Sequence, residues 1–144
     1  MKMISFEVKY QEEDDGSGWS VEFPGLEGCV TCGSTLDEAR SNAEEALTVY
    51  LESVDSRGLL KEYDFPEPGV ETVTPDLVVA FALTLRLLRT QSGLTQADVA
   101  AILGVEQPTY NRWENPEKCN VTLSTFRDLA RAFNRKPELA FVAR

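Results

Sequence analysis

The sequence predicts an α+β protein in two parts: a small antiparallel sheet with one long helix, then an all-helical segment. Three observations carry that reading. Apolar residues alternate over 3–10 and again over 19–23, the period of a half-buried strand. They recur at helical spacing over 36–54 and from residue 76 onward. Charge divides at the same place: residues 1–76 carry 5 Lys/Arg against 18 Asp/Glu, a net of −13, whereas 77–144 carry 9 against 6, a net of +3. The expected division is a sheet-domain core over 1–56, a connecting segment with room for a short extra strand over 57–73, and a helical domain over 74–144.

Taken in order, Ile4, Phe6, Val8 and Tyr10 form the inward side of a first strand. Glu12, Glu13, Asp14 and Asp15, followed by Gly16-Ser-Gly18, read as a hairpin tip. This acidic run lacks the alternating ligand spacing of a calcium loop, which favours a solvated turn over a cation site. Trp19, Val21 and Phe23 point inward on a second strand that ends at Pro24-Gly25, and a third strand spans about Gly28 to Gly33. Cys29 and Cys32 on that strand have the spacing of a metal knuckle or redox pair. Positions three apart on a strand face opposite ways, however, and the chain has no His and only one further Cys, so neither role is expected. Thr35 with Glu38 forms a capping box for a helix from Leu36 to about Val54. Its inner face is Leu36, Ala39, Ala43, Ala46, Leu47, Tyr50, Leu51 and Val54, and the alanines predict close packing on the sheet.

The connecting segment, Asp55 to Glu71, holds two glycines and two prolines, and Val70 to Val73 offers a short strand. Thr74 and Pro75 then read as the cap and first residue of a helix running from Asp76 to about Gln91. This helix carries two apolar stripes. One (Leu77, Phe81, Leu85, Leu88) serves its own domain; the other (Val79, Ala80, Leu83, Leu87) needs the sheet domain or a second chain, with a two-fold dimer contact the favoured expectation. A last helix, capped by Thr122, carries Leu123, Phe126, Leu129, Ala130 and Phe133. Leu139 to Val142 reads as a terminal strand able to pair with its copy.

Between those helices lies LTQADVAAILGVEQPTYNRWEN, Leu94 to Asn115. Thr95 and Asp98 cap a short helix with Leu94, Val99, Ile102 and Leu103 on its apolar stripe. Gly104 suits the left-handed residue that ends it, and Val105 fills the angle between two helices. A second helix, about Gln107 to Trp113, turns Tyr110 and Trp113 inward. That leaves Gln107, Thr109, Asn111 and Arg112 outward, residue types that pair with base edges and phosphates. This is a helix-turn-helix.

Leu85–Arg89, GLTQADVAAILGV, PTYNRWEN and TLSTFRDLARAF resemble the phage-repressor (Cro-type, XRE) helix-turn-helix in order and spacing. The resemblance implies that Gln96 meets a phosphate and that Gln107, Thr109, Asn111 and Arg112 occupy base- and backbone-reading positions. It also implies that Arg89 and Glu114 bridge helices inside the domain. Two residues depart from the family pattern: Pro108 at a reader position and Pro116 in place of a glycine. Lys118, in the loop that follows, is a further phosphate candidate, with a merely solvated lysine as the bland alternative.

In the first part, FPGLEGCVTCGSTLDEARSNAEEAL is similar to the HicB antitoxin family, which pairs a Phe-Pro-x-Leu-x-Gly-Cys turn with Gly-x-Thr and an acidic helix. The resemblance covers about residues 3–73. It implies a partial RNase-H-like sheet, a HicA-like ribonuclease toxin as partner, and operator DNA as the ligand of the helical domain. Glu12, Glu13, Asp14, Asp15 and Trp19 are the candidate toxin-facing residues. The expected assembly is a homodimer or higher homo-oligomer, with no cofactor, no metal and no catalytic residues. A −13 domain repels nucleic acid and suits a cationic partner.

Other functions are weighed against this one. A nuclease needs carboxylates converging on metal ions, but the inward strand positions are apolar and the acids fall on loops and outer faces. A stand-alone repressor, whose first domain oligomerises or senses a ligand, is the main alternative. No apolar run approaches a membrane span, the longest being Leu77 to Leu83. The alternating N-terminus is not a secretory signal, and three cysteines, an odd count, predict free thiols in the cytoplasm.

Overall fold

The computed structural model describes residues 2–53 and 56–143. The strands are β1 (Phe6–Glu7), β2 (Lys9–Glu12), β3 (Trp19–Glu22), β4 (Val30–Gly33) and β5 (Thr72–Val73). The helices are α1 (Leu36–Ser53), α2 (Ser56–Lys61), α3 (Leu77–Gln91), α4 (Gln96–Leu103), α5 (Gln107–Trp113) and α6 (Leu123–Ala132). The α+β expectation, a small antiparallel sheet region followed by helices, holds.

The expected first strand is divided. Its early half, β1, pairs antiparallel with β5 (Phe6 opposite Val73), while its later half, β2, pairs with β3 in the meander β2-β3-β4. The ladder changes partner at Val8, whose N–H still donates to Glu71 O at 3.0 Å. Alternation survives the change: Ile4, Phe6 and Val8 are buried, and Tyr10 is half-buried. On β3, Val21 and Phe23 face the same core, which Leu26, Cys29 and the inner face of α1 complete.

The helix lies on the sheet as closely as its small residues predict. Ala39, Ala43 and Leu47 are fully buried, and Leu51 nearly so. Gly33 makes this possible: a Cβ there would fall 2.4 Å from Ala39 N, so any side chain would push the first turn of α1 off β4. Thr35 Oγ1 accepts the Glu38 N–H at 3.1 Å and starts the helix. Val54, expected on the inner face, and Asp55, expected to open the connecting segment, lie outside the described residues.

That connecting segment is more ordered than composition suggests. It opens with α2, whose Leu60 is buried in the sheet core. Tyr63 then docks on the first strand: its hydroxyl donates to Ser5 O at 2.8 Å and accepts the Ser5 N–H at 3.1 Å. Its ring meets Phe6 and Phe65 edge-on, with centroids 5.4 and 5.3 Å away.

The third helix starts later than expected. Asp76, not Thr74, is the cap: its carboxylate accepts the Val78 N–H at 2.9 Å, while its own N–H goes to Thr48 Oγ1 at 2.9 Å. Pro75 therefore stays outside the helix, buried in the approach to it. The two stripes of α3 are both used within one chain, except that Leu77, expected on the first, is 66% exposed. Val79, Ala80, Leu83 and Leu87 complete the sheet core, and Leu85 with Phe81 and Leu88 packs into the helical core around Val99, Tyr110, Leu129 and Phe133. Thr84 sits between them and accepts the buried Ile4 N–H at 2.9 Å. The expected dimer contact on the second stripe is thus corrected, because the sheet module covers it.

Three further expectations differ. Ile102 is 56% exposed, and Ala100 takes its place in the helical core, because at about 100° per residue Val99, Ala100 and Leu103 share one face of α4 and Ile102 falls to its side. Leu123 is 70% exposed at the first turn of α6. Leu139–Val142 forms no strand, since a ladder needs a partner and the described residues of one chain offer none. No single described helix is long and apolar enough to cross a membrane.

Candidate DNA-binding and partner-binding surfaces

The helix-turn-helix is built by its caps. Thr95 and Asp98 form a complete capping box: Thr95 N–H donates to Asp98 Oδ2 at 2.8 Å and Asp98 N–H donates to Thr95 Oγ1 at 3.1 Å. These bonds hold the Asp98 carboxyl below its ordinary pKa. Gly104 closes α4 with φ +70°, a left-handed conformation that a side chain would strain. Val105 is half-buried in the angle beyond it. Pro108 sits in the first turn of α5, where a missing N–H costs nothing.

Behind α5 lies a buried ionic cluster. Glu114 is fully buried, and Arg89 grips it with both prongs, Nε to Oε2 at 2.7 Å and Nη2 to Oε1 at 2.9 Å. Arg89 Nη1 also donates to Leu94 O at 2.9 Å, tying the start of the turn motif to its end. Arg86, which sequence reasoning missed, adds Nη2 to Glu114 O at 3.2 Å and stands 3.5 Å from Oε1. The hydrogen bonds that Arg89 donates to the Glu114 carboxylate raise the Arg89 pKa further, so the guanidinium stays charged at any relevant pH. Next to them the Tyr110 hydroxyl is buried with no hydrogen-bond partner among the described residues, and burial first, then the Glu114 charge, raises its pKa. The ring of Tyr110 stacks edge-on against Trp113, centroids 5.9 Å apart. Together these contacts fix the rotation of α5.

With Tyr110 and Trp113 turned in, Gln107, Asn111 and Arg112 are exposed and Thr109 is half-buried on the outer side of α5. Gln96 is half-buried at the start of α4, and it lines the same cleft as Gln107. Lys118 is exposed in the turn after α5, where Asn115 O accepts its N–H at 3.0 Å. The structure therefore brings the starts of α4 and α5 together and sets Asn111 and Arg112 farther along the same helix.

The acidic candidates lie at the far end of the sheet module. Glu12 ends β2, and Glu13, Asp14 and Asp15 form the hairpin tip, all four exposed. The tip is closed by Glu13 N–H to Gly18 O at 2.8 Å and Ser17 N–H to Asp15 Oδ1 at 2.9 Å. Hydrogen bonding to Ser17 holds the Asp15 carboxyl below its ordinary pKa. Trp19 faces Glu12 and Gly33 across the ladders and is half-buried against the core, so only part of its ring is open to a partner.

The cysteines are free thiols, Cys29 buried and Cys32 exposed on opposite sides of the sheet. No group of three or more His, Cys, Asp or Glu among the described residues is placed to hold a metal ion.

Comparison with known proteins agrees with this division. A family model described as the HicB-like antitoxin of bacterial toxin–antitoxin systems matches residues 6–66, and one described as a helix-turn-helix domain matches residues 80–140. No curated protein matches the chain. The chain joins a HicB-like antitoxin domain to a C-terminal helix-turn-helix domain.

Proposed function

We propose that this chain is the antitoxin of a HicAB-like pair: its sheet module covers a small mRNA-cleaving toxin, and its helical module represses the operon that encodes both. The observation that carries the reading is the joining of an acidic module, in which no described carboxylate is buried, to a helix-turn-helix with Gln107, Asn111 and Arg112 turned outward. A ribonuclease presents cationic surface to RNA, and a solvent-facing net charge of this size competes for that surface and speeds the encounter. Glu12 to Asp15 supply a concentrated part of the field. We read the sheet module as a binding surface and not an enzyme, since its acids point into solvent instead of converging on a cavity. The unpaired cysteines suit the cytoplasm.

DNA reading falls to α5. Gln107, Thr109, Asn111 and Arg112 address bases and adjoining phosphates, with Gln96 and Lys118 on the backbone. A two-fold pair on two half-sites is the expected arrangement.

The test is co-expression with the neighbouring small basic open reading frame, scored by growth rescue and co-purification. Rescue with a stable complex is expected. Arg112→Ala should keep rescue while weakening operator binding by about 1–3 kcal/mol. Operator binding with no basic partner and no rescue would instead favour a stand-alone repressor.

A further inference from the structure

We infer that a second copy of this chain docks on the helical module: residues 138–143 of each copy pair antiparallel with their counterparts across an apolar groove at the starts of α3 and α6. Resting on the reading above that two copies address two half-sites, this assigns the surface that joins them.

A groove of about 580 Å³ runs along the first turns of α3 and α6, the loop 119–122 and residues 138–141. Eleven large apolar residues are exposed among the described ones, and five of them line this one groove: Leu77, Val78, Leu123, Leu139 and Phe141. Leu77 and Leu123 stand where helical periodicity turns a residue inward, yet they are 66% and 70% exposed. Phe141 is 100% exposed, so the segment that edges the groove does not close it from within the chain. Scaled by their exposures, the five residues offer on the order of 600 Å² of mostly apolar surface, about the apolar share of an 800 Å² half-interface.

Charge and shape select a second copy as the occupant. At net charge −10 copies of the chain repel one another, but this groove is lined by one charged residue, Glu138. A strongly cationic partner finds little to pair with here. Residues 139–143, Leu-Ala-Phe-Val-Ala, are uncharged and belong to no helix or strand of their own chain. A two-fold axis sets each segment antiparallel to its copy, the arrangement in which the backbone groups of both are satisfied. On such a ladder Leu139 and Phe141 fall on one side and enter the partner's groove together. Groove and filling segment lie on the same chain, so the contact is self-complementary and closes at two copies. None of Gln96, Gln107, Thr109, Asn111 and Arg112 lines the groove, and the dimer therefore leaves the outer side of α5 open to DNA.

The experiment is sedimentation velocity of the full chain over a concentration series without DNA, with circular dichroism to check that each variant is folded. The wild type is expected to stop at two copies. Phe141→Asp should raise the dimer dissociation constant about 30-fold or more, as loss of an interface anchor does. Leu77→Asp, from the opposite wall, should do the same, and an acid in the first turn of α3 suits that helix. Val30→Asp, at a residue 65% exposed on β4 and outside the groove, should leave the dimer unchanged. A wild type that stays monomeric, one that grows past two copies, or a dimer that survives both groove variants would overturn the inference. So would a dimer broken by Val30→Asp alone, which would seat the second copy on the sheet. A monomer that binds the neighbouring small basic protein through Phe141 would overturn it too, giving the groove to that partner. Equal affinity of a confirmed dimer for operator and shuffled duplexes would overturn the operator reading and leave the dimer standing.

Discussion

In the sheet module none of the described carboxylates is buried and the core is apolar, whereas the helical module seats Glu114 at its centre with Arg86 and Arg89 folded onto it. The same residue types thus do different work. Acids on the first module remain available to a partner, while two of the nine Lys/Arg counted in 77–144 are spent internally. Net charge by segment is a sound guide to the first module and overstates the cationic surface of the second. The buried cluster gives the helical module specificity of shape more than stability: Arg89 reaches from α3 to both ends of the turn motif, Leu94 and Glu114, and so sets where the outer side of α5 points.

The sharpest break of this comparison is Glu114→Ala. Removing the carboxylate takes the buried counter-charge from two guanidinium groups that are each only 13% exposed, and the loss expected is about 3–5 kcal/mol in urea denaturation. Removal of an acid from the sheet hairpin, such as Glu13, should move the midpoint negligibly by the same measurement. A loss at Glu114 no greater than at Glu13 would show that the cluster is solvated and that the two modules do not differ.

Next in size is the junction. The modules meet on α3, where Thr84 Oγ1 accepts the Ile4 N–H in the buried seam. Thr84→Val keeps the shape and strands that donor, at a cost of about 1–3 kcal/mol. Because Leu83 and Leu87 belong to one core and Leu85 to the other, the wild type and Thr84→Val should each unfold in one cooperative transition. Two resolved transitions in the wild type would mean that the cores are independent and that α3 is a tether instead of a shared wall.

Much of this was legible in sequence because local patterns and burial agreed. Alternation placed Ile4, Phe6, Val8, Val21 and Phe23 inward. The three-residue spacing of Tyr110 and Trp113 fixed the phase of α5, and with it the exposure of Gln107, Asn111 and Arg112. What sequence hid was decided by partners far along the chain. SRGLLK is short and contains a glycine, so its helix exists because Leu60 finds the sheet core. The two stripes of α3 were visible, but periodicity cannot say what covers an apolar face, and the sheet module does. Arg86 resembled any surface arginine until Glu114 was placed beside it.

The smallest expected effect probes the sheet module's separation of core from surface with its own thiols. Burial raises the Cys29 and Cys119 thiols above their ordinary pKa, which keeps both in the unreactive protonated form near neutral pH. Cys29 is 3% exposed and its sulfur sits 4.0 Å from Ala46 O beneath α1, whereas Cys32 projects from the other side of β4. A disulfide-exchange reagent should therefore modify one thiol fast without denaturant, and Cys32→Ser should remove that phase. Cys119, half-buried, should follow slowly, and Cys29 only as the core opens. Equal rates for Cys29 and Cys32 in the native protein would mean that α1 does not stay on the sheet. The apolar interior that keeps the described acids of the first module out of the core would then be absent.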